Sequence, residues 1–185
     1  MKALALDDPG ATFIDIGSSI GNHSLYFATF LKAKKVIPIE PNPVAYNLLL
    51  ANVVLNGLSD VIDLTRVGVG MSDEDKGGFG VEDRERNIGA TRMIAGEGEI
   101  QVFRGDTLLA DEAPTFITID VEGMEMDVLA GLEATISTHR PNLLVEVDEV
   151  NYETFESWFS KRNYEAVKVF QRYRTKRNYL LSPKD

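Results

Sequence analysis

The 185-residue chain contains no cysteine. That absence excludes disulfides, thiolate nucleophiles and cysteine-ligated metals. It says nothing about compartment. No stretch approaches 18 consecutive apolar residues, so no membrane-spanning helix is expected. The first ten residues carry two aspartates and no long apolar run, so no signal peptide is expected and the location reads as cytoplasmic. The buried-strand pattern starts as early as Thr12, which leaves almost no room for a preceding element.

Positive charge is also scarce. The formal net charge is -10, and it is unevenly placed. Residues 1–70 hold 5 basic and 6 acidic groups, residues 71–127 hold 5 and 15, and residues 128–185 hold 9 and 8. The middle third would repel a polyanion, which makes a nucleic-acid partner unlikely. One local exception runs from Lys168 to Arg177, with five positive charges in ten residues. It reads first as a solvated hairpin between two strands, and second as a patch for an acidic or phosphate-bearing partner.

What is present is an ordinary globular composition, 44% hydrophobic and 26% charged, long enough for one domain over 1–185 without staples. No repeat or low-complexity segment interrupts it. Strand and helix patterns alternate. Thr12-Phe-Ile-Asp-Ile16 is a short buried strand ending at Gly17, and a helix follows from Gly21 to about Lys32. Lys35 to Ile39 is a second strand with an awkward Pro38. Asn42 and Pro43 are a good N-cap and first helical residue, and Asn56-Gly57 ends that helix. Val61 to Val69 predicts a third strand. A polar, glycine-rich insertion at about 70–105 predicts irregular loops closed by short antiparallel strands near 78–82 and 99–103.

Strand Thr115–Ile119, a helix from about Met124 to Gly131, strand Asn142–Val147 and helix Tyr152–Lys161 follow. Two strands near 164–170 and 177–181 close the chain. The alternation predicts an α/β doubly wound, Rossmann-like fold. Its sheet should be mostly parallel and seven-stranded, with an antiparallel last strand and helices on both faces.

Such sheets bind ligands at the carboxyl ends of their strands. After the first strand stands Asp15-x-Gly17-x-x-x-Gly21, a tight turn whose helix points its amides at a ligand. The spacing is not Gly-x-Gly-x-x-Gly. A carboxylate at Asp15 would repel a pyrophosphate but suit a sulfonium with an ammonium group, which favours S-adenosylmethionine over NAD. Glu40 follows the second strand, where an acidic side chain can accept from both ribose hydroxyls. After the fourth strand come Asp120 and Glu122, and after the fifth Glu146 and Asp148.

Four blocks now form a pattern: Phe13-Ile-Asp-Ile-Gly-Ser-Ser-Ile-Gly21, Ile39-Glu-Pro-Asn-Pro43, Asn52-Val-Val-Leu-Asn-Gly57 and Ile119-Asp-Val-Glu-Gly123. In this order they resemble the FkbM-type family of class I S-adenosylmethionine-dependent methyltransferases, many of which methylate hydroxyls of sugars or small metabolites. The resemblance spans about 12–150. The glycine turn is general to class I methyltransferases, and the Glu-Pro-Asn-Pro and Asp-Val-Glu-Gly blocks are more specific. Ser19 and His23 depart from the family's usual residues.

The resemblance implies that Asp15, Gly17 and Gly21 line the methionine end of the cofactor and Glu40 the ribose, with Val69, within Gly68-Val-Gly70, near the adenine. Ser18, Asn22, Pro41 and Asn42 are expected as further cofactor-binding residues. Asp120 and Glu122 are the candidate catalytic residues, as general bases toward a hydroxyl of a small-molecule or saccharide acceptor. Glu146 is a weaker candidate of the same kind. Together with Asp148 these carboxylates could instead hold Mg²⁺, but their spacing fits no metal motif, and no metal is expected. His23 reads as a first-turn helix residue and His139 as surface. Asn87-Ile-Gly89-Ala90 could reach over the site as a lid, and Trp158 reads as core. Two other readings stay open: a cofactor-binding module without catalysis, and a NAD-dependent oxidoreductase, which lacks an evident hydride-transfer residue here.

Overall fold

The computed structural model describes residues 10–82 and 92–184. The Asn87–Ala90 segment therefore lies outside the described residues. A six-stranded mixed sheet forms the centre, in the order β2-β1-β7-β8-β10-β9. Its parallel part is β1 (Thr12–Ile16), β2 (Lys35–Ile39), β7 (Phe116–Ile119) and β8 (Asn142–Asp148). The hairpin of β9 (Tyr164–Tyr173) and β10 (Lys176–Pro183) adds antiparallel to β8 through β10.

Alternation along the strands sends side chains to two cores. Phe13, Val36 and Phe116 meet α1 (Asn22–Thr29) and α2 (Pro43–Leu55) on one face, through Phe27, Leu49 and Val53. On the other face Ile14, Ile16, Ile37, Ile117 and Val145 meet α4 (Glu125–Gly131), α5 (Glu133–His139) and α6 (Tyr152–Lys161). Trp158 belongs to this second core, and the Arg162 guanidinium lies 4.7 Å over its ring. The start of α2 follows its sequence signal. Asn42 is the N-cap, and its side chain accepts from the Val44 N–H at 3.0 Å.

Among the described residues the sheet has six strands rather than the seven expected. The segment 61–69 makes a single parallel bridge, Ile62 to Val36, then turns into a 3-10 helix over Leu64–Arg66. Pro38 explains the stop. On β2 the N–H of Val36 donates outward to the Val61 carbonyl. Two residues on, the same outward position is Pro38, which has no N–H to offer a continuing strand. Asp63 completes the break by capping the 3-10 turn, accepting from the Thr65 N–H at 3.0 Å.

The insertion is more ordered than its composition suggests. β3 (Gly70–Ser72), β4 (Lys76–Val81), β5 (Met93–Ala95) and β6 (Ile100–Arg104) form a second sheet in the order β3-β6-β4-β5. The expected antiparallel pair is β4 with β6, while β3 joins β6 in parallel. A short helix, α3 (Gly105–Leu108), leads on toward β7. Among the described residues, no helix is long and apolar enough to cross a membrane.

Candidate active site

The turn after β1 is built by left-handed backbone at Gly17 (φ +78°), Ser19 (φ +48°) and Gly21 (φ +89°). Gly17 is forced by proximity as well as by φ. A Cβ there would stand 1.9 Å from the Asp120 carbonyl oxygen, so the turn lies directly against the end of β7. Its N–H donates to the Ile39 carbonyl at 2.9 Å, which ties the turn to β2. Ser19 then directs its N–H at Glu40 Oε2 (2.7 Å), and Asn42 directs its own at Glu40 Oε1 (2.9 Å). Burial pushes the Glu40 carboxyl above its ordinary pKa, and these two donors work against that shift.

Asp120 emerges at the carboxyl end of β7, opposite Glu40 across a cleft of about 580 Å³ counted to its open mouth. The turn that follows carries positive φ at Glu122 (+42°) and Gly123 (+95°). It folds Glu122 back beside Asp120, where Glu146 from β8 joins them. One carboxylate oxygen from each of the three lies within 4.8 Å of the others. Burial, then the neighbouring Glu146, raise the Asp120 carboxyl to a pKa of about 7, although Lys176 opposes the rise. Lys176 Nζ stands 2.8 Å from Glu122 Oε2 and 2.8 Å from Glu146 Oε1. Burial alone would lower the pKa of this ammonium. The two carboxylates outweigh that effect and hold it above the usual lysine range.

Of the residues expected at the site, Gly17, Glu40, Pro41, Asp120 and Glu122 line this cleft. The others stand behind it or beside it. Asp15 is 1% exposed and faces inward. Its Oδ2 accepts from the Ser24 hydroxyl at 2.5 Å and its Oδ1 from Thr118 at 2.8 Å. The alternation of β1 explains this, because Asp15 shares a face with Phe13. Gly21 is the N-cap of α1 and packs on Leu49. Asn22 is exposed on that helix, and Asn42 is spent on its cap. Val69 packs on the core beside Gly70, which does line the cleft. Ser18 is buried, and its Oγ has no hydrogen-bond partner among the described residues.

Asp148 does not join the carboxylate group. Its Oδ2 accepts from Arg92 at 3.4 Å. His23 is half exposed and stacks against Phe27, in keeping with a local helical role. Sequence reasoning missed Ser19, Met71 and Met93 in the cleft wall, and it missed Lys176. The only signal for Lys176 was its place in the basic run 168–177, which does form the β9–β10 hairpin. The turn before β10 brings this one cation inward.

A family model described as "Methyltransferase FkbM domain" matches residues 15–175. The chain belongs to this family. A curated relative, the hexuronic acid methyltransferase AglP of Haloferax volcanii, is 32% identical over 123 residues, covering 64% of this chain and 48% of that protein. Among solved structures, the methyltransferase FkbM from Methylobacillus flagellatus matches with a TM-score of 0.63 and 22% identity, over 92% of this chain and 44% of the other. A putative tRNA (m1A22) methyltransferase from Streptococcus pneumoniae, in complex with S-adenosyl-L-methionine, matches with a TM-score of 0.60 and 13% identity over 98% and 71%. These likenesses confirm an α/β methyltransferase fold. The chain spans about half the length of the first relatives it matches.

Proposed function

We propose that residues 1–185 form one catalytic domain that transfers a methyl group from S-adenosylmethionine to a hydroxyl oxygen of a small molecule or saccharide. The observation that carries this reading is the pairing of Glu40 and Asp120 on opposite walls of one cleft, at the carboxyl ends of β2 and β7. Glu40 suits the ribose of the cofactor. Each of its oxygens holds one backbone N–H, and a carboxylate has about four lone-pair sites in all, so capacity remains for two hydroxyl donors. The unpartnered Ser18 Oγ is a further buried polar atom at the same turn.

When bound, the cofactor supplies a methyl group on a positively charged sulfur that departs as a neutral thioether. The chain then has two tasks. It holds the acceptor oxygen in line with that methyl, which is chiefly a matter of proximity. It also takes the hydroxyl proton as the new C–O bond forms. Asp120 is placed for the second task, because a carboxyl with a pKa of about 7 is half ionised at neutral pH and holds the proton it gains. A saccharide acceptor is supported by the curated relative, whose name states a hexuronic acid.

Calorimetric titration with S-adenosylhomocysteine tests the cofactor assignment, with NAD as control. The expected result is saturable binding of the first and none of the second. Glu40→Gln, which keeps one acceptor oxygen but loses the charge, should weaken binding by about 10- to 100-fold. NAD binding in place of S-adenosylhomocysteine, or undiminished affinity in Glu40→Gln, would refute the assignment.

A further inference from the structure

We propose that Lys176 is the resident counter-cation of the acidic site: its ammonium fills the place a divalent ion would need and positions Asp120 as the proton acceptor. Its catalytic meaning rests on the methyl-transfer reading above, but its electrostatic content does not. Three carboxylate oxygens within 4.8 Å of one another would ordinarily call for a metal ion or a shared proton. Here Nζ sits 2.8 Å from two of them. The three side chains of this bridge are shielded, with relative exposures of 15% for Lys176, 15% for Glu122 and 12% for Glu146. The attraction is therefore screened by solvent far less than at a surface.

The backbone fixes the ammonium in place. Strand register sets Lys176 opposite Asp148 and Asn178 opposite Glu146. Asn178 Nδ2 also donates to Glu146 Oε2 at 3.3 Å, so Glu146 is held from two positions on β10. The charged groups facing Asp120 are then Glu146 from β8, Glu122 from the turn after β7, and Lys176 from β10. One ammonium pairs with the two glutamates. Asp120 is left as the member whose proton is exchangeable. A second cation entering the group would meet the ammonium at close range and be repelled. A site of this kind needs only one acceptor hydroxyl, because no metal coordination has to be completed by a second oxygen of the substrate.

The test uses the whole chain as wild type, Lys176→Met and Lys176→Arg. Mn²⁺ binding is followed by electron paramagnetic resonance, and the Asp120 carboxyl by ¹³C NMR titration. Wild type and Lys176→Arg should show no saturable Mn²⁺ binding at this group. Lys176→Met should bind Mn²⁺ at least about tenfold more tightly than wild type, since the freed carboxylates gain an oxygen-ligand site. With no Mn²⁺ present, the Asp120 titration should move to higher pH by about one pH unit in Lys176→Met and return in Lys176→Arg. A lysine whose ammonium lay outside this group in solution would move neither readout. Mn²⁺ binding to the wild type as tight as to Lys176→Met overturns the proposal, and so does an unmoved Asp120 titration in a folded Lys176→Met. If Lys176→Met does not fold, tight wild-type Mn²⁺ binding alone decides against it, and weak binding with a normal Lys176→Arg titration supports it. None of these readouts involves the cofactor, so loss of S-adenosylhomocysteine binding would count against methyl transfer alone.

Discussion

Replacing Asp120 by Asn should make the folded chain more stable at neutral and alkaline pH while impairing methyl transfer. The Asp120 carboxyl titrates at about 7 in the folded chain against an ordinary 3.8. Between those values the folded chain keeps a proton that the unfolded chain has released. The stability this carboxyl contributes is therefore complete below about pH 4 and is lost as the pH rises to about 7. Roughly three pH units at about 1.4 kcal/mol each give a ceiling of about 4 kcal/mol.

Asparagine carries no charge at any of these pH values. At pH 8 Asp120→Asn should thus exceed wild type by about 2–4 kcal/mol, and near pH 4 the two should agree within about 1 kcal/mol. Titrating groups away from Asp120 cancel in the difference. Urea denaturation followed through the fluorescence of Trp158, the single tryptophan and a buried one, measures it at a series of pH values. A difference that stays flat from pH 5 to 8, or a variant less stable than wild type at pH 8, would refute the reasoning.

Other perturbations separate support from contact. Gly17→Ala should cost at least about 3 kcal/mol, through both the positive φ and the clash with the Asp120 carbonyl, as read by the same denaturation. Asp15→Ala strands the hydroxyl of Ser24, leaves that of Thr118 only the longer contact to the Ile14 carbonyl, and should cost about 2–4 kcal/mol, with any weakening of S-adenosylhomocysteine binding following from the disturbed turn. A fully stable Asp15→Ala that had lost the ligand would instead make Asp15 a direct contact. Glu40→Gln should bind about 10- to 100-fold more weakly and also lose about 1–3 kcal/mol of stability, because the amide offers one acceptor oxygen to two backbone N–H groups.

The sequence by itself determined what depends on neighbouring residues. Short β-branched runs gave β1, β7 and β8. Asn42 and Pro43 marked the start of α2, and Gly17 marked the only backbone that could turn so closely past β7. Strand ends are local facts, so Glu40, Asp120 and Glu122 could be placed at the carboxyl edge of the sheet from the strand pattern alone. Tertiary structure decided what those side chains meet. The strand expected at 61–69 failed because Pro38 on β2 and a capped turn at Asp63 act from different places in the chain. Alternation along β1 turned Asp15 inward, but its partners there, the hydroxyls of Ser24 and Thr118, come from two other elements.

The charge of the site lay furthest from view. Lys176 is 30 residues beyond Glu146 in sequence and reads as one of five cations on an exposed hairpin. Only the insertion of β10 between β8 and β9 sets it among Asp120, Glu122 and Glu146. Periodicity records which face of an element is buried. It holds no record of which strand becomes the neighbour, and at separations of a few ångströms burial and the neighbour's charge together decide which carboxyl keeps its proton.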